Sequence, residues 1–223
     1  MSLDKTIREN SNGKYITIHA DYFKEGIDYA TQIKISQIHL IGVSGIKDIV
    51  DFKELEKISE YLKVFSFISI VENVINLESI YSLINIEKLY FQHKQKFKID
   101  ISRFPKIVHL GGEYWKGLIN FNKAYSLQSL VLLKLPNINL KELSELDKLQ
   151  ILHVYSSKIQ NLNGIEKLPI KKLSLVRNSA LENIKALKEL ETLKELLIEK
   201  CKNFTDYDFL DSLKDRVDIK IIK

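Results

Sequence analysis

A single cysteine in 223 residues has no internal partner, so the chain falls outside the disulfide-stapled secreted domains. Its apolar runs are short and broken by charge, which excludes a helix long enough to span a bilayer, and no membrane association is expected. The opening stretch MSLDKTIRENSNGK places charges where a signal peptide needs an apolar segment, so a cytoplasmic location is expected. Three prolines and eight glycines form no linker, and no low-complexity stretch divides the chain. Also missing are a P-loop, G-x-S-x-G, HExxH, CxxC, a paired-acid motif and a Gly-rich phosphate cradle. No catalytic residue, cofactor or metal is therefore expected. What is present is 45% apolar residues, enough for a sizeable core, and 28% charged residues with a net charge of +5. Abundant Lys, Ile, Asn and Glu point to an AT-rich, bacterial coding sequence.

Eight windows beginning at Ile35, Leu62, Ile86, Pro105, Leu127, Leu149, Ile170 and Leu193 superimpose. Counting each start as one, places four and six are apolar, and the starts are spaced by about 22 residues. The paired places read Ile38/Leu40, Phe65/Phe67, Leu89/Phe91, Val108/Leu110, Leu130/Leu132, Leu152/Val154, Leu173/Leu175 and Leu196/Ile198, and Val217/Ile219 would add a ninth strand. Alternation with a period of two predicts strands with these residues facing inward. Between strands, apolar residues recur every third place, as in Leu140, Leu143, Leu146 and Leu149. That spacing suits short helical or 3-10 turns better than the long helices of a doubly wound α/β fold.

The units Leu149-Gln-Ile-Leu152-His-Val154-Tyr-Ser-Ser157, Ile170-Lys-Lys-Leu173-Ser-Leu175-Val-Arg-Asn178 and Leu193-Lys-Glu-Leu196-Leu-Ile198-Glu-Lys-Cys201 resemble the leucine-rich repeat pattern L-x-x-L-x-L-x-x-N/C-x-L in its short bacterial form. Asn178 and Cys201 match the N/C place. The resemblance covers Ile35 to the end and implies an α/β solenoid of about eight or nine repeats. Such a solenoid has a curved parallel sheet on its concave side and short helices or 3-10 turns on its convex side. It also implies that a small polar side chain at the N/C place ties down the loop, the role expected of Cys201. Other units carry Val43, Ile70, Lys94, Glu113, Leu135 and Ser157 there, so the polar ladder is mostly missing and irregular loops are expected. Residues 35–223 form the repeat domain. Residues 1–34 form an N-terminal cap or a degenerate first repeat, with Tyr15 and Ile18 inward in the second case and Asp21 capping a short helix through Ala30. Ser2 to Lys14 are expected to be loosely held.

The places between the inward pairs align into a face. Its central column reads His39, Ser66, Tyr90, His109, Val131, His153, Ser174 and Leu197. Four of the five histidines fall on the face, but His109 and His153 lie two strands apart, roughly 10 Å, too far to share a metal ion. They suit a contact surface instead. Lys63, Lys88, Lys106, Lys134, Lys171, Lys172, Arg177, Lys194 and Lys200 face Glu87, Glu195 and Glu199, an excess that exceeds the +5 of the whole chain. A basic concave face favours an acidic protein partner. The candidate contact residues are Tyr90, His93, His109, Tyr114, Lys134, His153, Tyr155, Lys172, Arg177 and Lys200, while Trp115 is assigned to the core. With Arg177 as the one concave arginine and no recognition motif, nucleic acid is disfavoured. The expected function is a monomeric, non-enzymatic protein-interaction module, such as a cytoplasmic inhibitor, an immunity-type protein or a scaffold. The alternatives are an internalin-like surface adhesin domain and an RNA-binding solenoid.

Overall fold

A computed structural model describes residues 3–42 and 49–223, which form two compact units divided after Ala124. In the first unit β1 (Arg8–Asn10) and β2 (Gly13–His19) make an antiparallel hairpin with Asn10 opposite Gly13. Gly13, at φ +104°, takes the positive angle that the reversal through Ser11 and Asn12 requires. The polar start is therefore held by a turn from Arg8 onward rather than left loose; Ser2 lies outside the described residues. Helix α1 (Phe23–Gln32) buries Phe23, Gly26, Ile27 and Ala30. Asp21 does not cap it: Asp21 belongs to a preceding 3-10 turn, and Tyr22 stands at the cap position with no side-chain bond.

The unit continues through β3 (Gln37–Ile41), β4 (Val50–Asp51), β5 (Val64–Phe67), β6 (Val74–Ile75), β7 (Lys88–Phe91), β8 (Ile99–Asp100), β9 (His109–Glu113) and β10 (Leu118–Ile119). Strands β2, β3, β5, β7 and β9 are successive parallel neighbours, while β4 pairs with β6 and β8 with β10 within the returns. The second unit, Tyr125–Lys223, stacks β11 (Ser129–Leu133), β12 (Ile151–Tyr155), β13 (Lys172–Val176), β14 (Glu195–Glu199) and β15 (Asp218–Ile222) in parallel. Its returns carry 3-10 turns at Lys141–Leu143 and Lys185–Lys188 and the short helix α2 (Tyr207–Asp211). Strand plus short return is the architecture expected from three-residue apolar spacing.

The inward pairs of β11 to β14 are those expected, and Leu130, Leu132, Leu152, Val154, Leu173 and Leu175 are fully buried. The first unit uses aromatic volume instead. Phe67 stacks on Phe91 at 4.9 Å and also meets Phe52, Phe65 and Phe97. One register also differs from the expectation. Leu110 pairs with Leu89 and Gly112 with Phe91, so the inward pair of β9 is Leu110/Gly112 rather than Val108/Leu110. A Cβ on Gly112 would approach the Phe91 carbonyl oxygen to 2.2 Å. Trp115 fills the space beyond, with its ring 5.0 Å from Phe91 and its Nε1 donating to the Phe97 carbonyl. Trp115 is buried as expected. The last strand shifts likewise: Ile219 and Ile221 pair with Leu196 and Ile198, and Val217 is buried ahead of the strand. In β2 the inward pair is Ile16 and Ile18, not Tyr15 and Ile18.

The polar ladder is more complete than the N/C place indicates. Asn178 is fully buried; its side chain accepts from the Ser157 amide and donates to the Val154 carbonyl. Ser157 Oγ in turn accepts from the Leu135 amide, and the Cys201 thiol donates to the Leu175 carbonyl. In the first unit Gln95, one place beyond Lys94, accepts from the Val71 amide and donates to the Ser69 and His93 carbonyls. Val43 lies outside the described residues. A second ladder runs through the returns, where Asp51, Asp100, Asn139, Asn161 and Asn183 each accept from the amide two residues ahead. These side chains turn the backbone locally and satisfy an otherwise orphaned donor. Asn178→Ala strands two buried backbone groups and is expected to cost about 2–4 kcal/mol in urea unfolding. Asn183→Ala, at an exposed return, is expected to cost below about 1 kcal/mol.

Candidate functional site

The solvent face of each sheet is built by the residues between the inward pairs, and each unit presents its own. In the first unit the central column reads Thr17, His39, Ser66, Tyr90 and Gly111. His109 is not in that column, because the shift of β9 sets it beside Lys88. It remains close to Tyr90, with ring centroids 4.8 Å apart, and Gly111 leaves the space both rings use. Tyr15 stacks on His39 at 4.1 Å, and Gln37 hydrogen-bonds the same imidazole. Asn12, at the tip of the N-terminal hairpin, accepts from the Lys88 ammonium at 2.7 Å and shares a hydrogen bond with Tyr90. Between β2 and β7 lie three strand spacings, about 14 Å, so the hairpin turn folds over this face. Part of the first unit's face is thus occupied by its own chain. His93 is exposed after β7 beside Ser69 and Glu72, and Tyr114 packs edge-on against Phe121 beyond β9.

The second unit brings more of the expected residues together. Its central column is Val131, His153, Ser174, Leu197 and Lys220. The adjacent column is Leu133, Tyr155, Val176, Glu199 and Ile222. His153 and Tyr155 lie with parallel rings 6.0 Å apart. Lys172 meets Glu195 at 2.6 Å beside an open depression of about 210 Å³ floored by Ser174 and Leu197. The middle of this face is apolar and aromatic.

Charge therefore sits differently from the expectation. Lys63 pairs with Glu87, and Lys106 lies in the turn before β9 with its ammonium on Asn85. In the second unit the cations gather at the strand ends. Lys134, Arg177 and Lys200 adopt left-handed backbone angles (φ 51–58°) immediately after β11, β13 and β14. Ser156 does the same after β12. Each amide donates to a carbonyl of the next strand, which fixes the turn and leaves the side chain at the rim. The sequence periodicity locates these residues but carries no sign of this conformation, because lysine and arginine are poor left-handed formers. Asn12 and Gln95 also escaped the repeat template; the Asn12-Gly13 turn dipeptide is the signal that could have found the hairpin.

Burial lowers the pKa of His39 from 6.5, and burial followed by the neighbouring Lys172 lowers that of His153. Burial pushes the Cys201 thiol up, away from reactive thiolate character. Among the described residues no group of three or more His, Cys, Asp or Glu side chains is placed to hold a metal ion, and no helix is long and apolar enough to cross a membrane. Because the folded pKa of both imidazoles is depressed, the unfolded chain binds their protons first. Their contribution to stability is complete above about pH 6.5 and is lost as pH falls through that value toward the folded one. Thermal melts from pH 7.5 to 5.5 are expected to show a declining midpoint, with a shallower decline for His153→Gln.

No protein-family model and no curated protein sequence matches the chain. Among solved structures, an internalin (inlF) from Listeria monocytogenes aligns over 86% of this chain and 69% of its own, at 16% identity and a TM-score of 0.58. An internalin C2 (inlC2) from the same species aligns over 89% and 92% at 18% identity, with a TM-score of 0.48. With its parallel strands, 3-10 returns and buried N/C-place ladder, the chain has the fold of the short-unit leucine-rich repeat proteins.

Proposed function

We propose that this protein is a non-enzymatic module that binds another protein on the solvent face of its repeats. The observation that carries this reading is the second unit's outer face, where Val131, Leu133, His153, Tyr155, Val176 and Leu197 sit side by side. An apolar and aromatic centre with a charged rim is the composition of a protein-binding patch. The rim residues Lys134, Arg177 and Lys200, just after their strands, favour an acidic partner, while Lys172, at the start of β13, is paired with Glu195. Tyr90, His93, His109 and Tyr114 belong to the first unit and form a secondary contact zone in this reading.

A monomer in the cytoplasm acting by masking or scaffolding fits the lone buried cysteine. An immunity-type inhibitor is one form of this. A nuclease toxin, usually basic, would suit an acidic inhibitor, so the target would belong to another toxin class. The internalin likeness in fold favours a second reading, a domain that works at the cell surface. Fractionation of the native cells separates the two. An affinity pull-down with the wild-type chain beside Lys172→Glu/Arg177→Glu tests the surface. The double reversal is expected to lose the captured partner, and retention of every partner would sink the reading.

A further inference from the structure

The proposed partner surface has dimensions and a charge layout that constrain what fits it. We infer that the second unit's solvent face receives a single acidic amphipathic α-helix, laid across the strands. This inference rests on the protein-binding reading above and adds the secondary structure and chemistry of the occupant.

Width is the first constraint. Strands β11 to β15 are five residues long, about 13–17 Å, which admits one helix of about 10–12 Å diameter and not two. Across the stack, five strands cover about 19 Å, the length of roughly 13 helical residues. An extended strand laid across the same face would leave its backbone donors and acceptors against side chains, with no sheet edge to pair them. A helix satisfies its own backbone and offers an apolar stripe.

Side-chain chemistry is the second constraint. Leu133, Tyr155 and Val176 form one apolar row across adjacent strands, and Val131 and Leu197 lie in the row beside it. Cations flank these rows at both strand ends. Lys171 and Lys194 are exposed just before β13 and β14, and Arg177 and Lys200 are exposed just after them. Among the described residues none of these four is in an ion pair, whereas Lys172 is neutralised by Glu195. Glu199 and Asp218 oppose them on the same face, but the balance at the edges stays positive. Neighbouring cations of each row are one strand spacing apart, about 4.8 Å. Carboxylates at i and i+4 of a helix are about 5–6 Å apart, so one helix can pair with both members of a row. The left-handed backbone at Arg177 and Lys200 holds that row in place before any partner arrives.

The test uses the full chain and fluorescence anisotropy. The probe is a 15-residue labelled peptide with Leu at i, i+3, i+4 and i+7 and Glu on both flanks. Comparison probes replace Glu by Lys, introduce a central proline, or substitute oligo(U) RNA. The acidic helix is expected to bind, to weaken with added salt, and to exceed each comparison probe by about tenfold or more. Arg177→Glu/Lys200→Glu is expected to weaken it by about tenfold, while Lys185→Glu/Lys188→Glu, on the return turn, leaves it unchanged. Leu197→Asp tests the apolar row; circular dichroism identifies a folding failure, and the charge double then decides alone. Equal binding of acidic and basic helices, tighter binding of oligo(U), equal loss with the return-turn double, or no binding of the acidic helix would each overturn the inference. A pull-down still sensitive to Lys172→Glu/Arg177→Glu would in that case leave the protein-binding reading standing with a partner of another shape.

Discussion

At the end of each strand from β11 to β14 the chain must turn sharply inward, and the rest of the repeat depends on how that turn is closed. One residue takes the left-handed conformation, at Lys134, Ser156, Arg177 and Lys200. For residues with a Cβ this costs about 1–2 kcal/mol each. The cost is offset because each turn's amide bonds to the next strand and the buried residue after it holds the loop. Ser157, Asn178 and Cys201 are those residues, and each bonds to backbone of a preceding turn. Strand register, inward packing and the position of the rim side chains all follow from this closure.

That geometry links folding to surface. A left-handed residue turns its side chain out at the strand end while the backbone descends into the core. Cations at that place project from a rigid frame, so the positive charge is arranged by the backbone and not by long flexible strands of lysine. The sheet face itself is left to Tyr155, Val176, Leu197 and their neighbours. In the first unit the same face is treated differently. There the hairpin tip at Asn12 bonds to Lys88 and Tyr90, and Tyr15 covers His39. Equivalent repeat positions thus meet the N-terminal hairpin in the first unit, whereas in the second, among the described residues, they meet only neighbouring strands, as Lys172 meets Glu195.

Much of the second unit was legible because its core is aliphatic. Leucines of similar volume tolerate a single register, and the two-residue alternation reports it directly. The first unit was harder to read at β9. There the backbone carbonyl of Phe91 comes too close for a Cβ, so Gly112 takes the place of the expected apolar residue and Val108 becomes a false match. Moving the window start from Pro105 to Ile107 leaves 21 residues after Ile86, close to the common period. The polar ladder was underestimated for a related reason. Gln95 does from one place further along, with a longer side chain, what Asn178 does at the N/C place.

The sequence by itself determined the repeat, the alternation of inward and outward residues, and the absence of any known catalytic motif. These are local properties: they depend on spacing along one chain and on the preference of apolar groups for the interior. Only the tertiary structure decided which outward residues meet, which lysines are neutralised, and which face the N-terminal hairpin covers. Those depend on pairs far apart in sequence, such as Asn12 with Lys88 and Lys172 with Glu195. A charge count assigns every lysine the same weight, whereas electrostatic interaction depends on distance and on what stands between the charges. The basic face expected from the repeat register is, in the second unit, a face with apolar rows and cations at the strand ends.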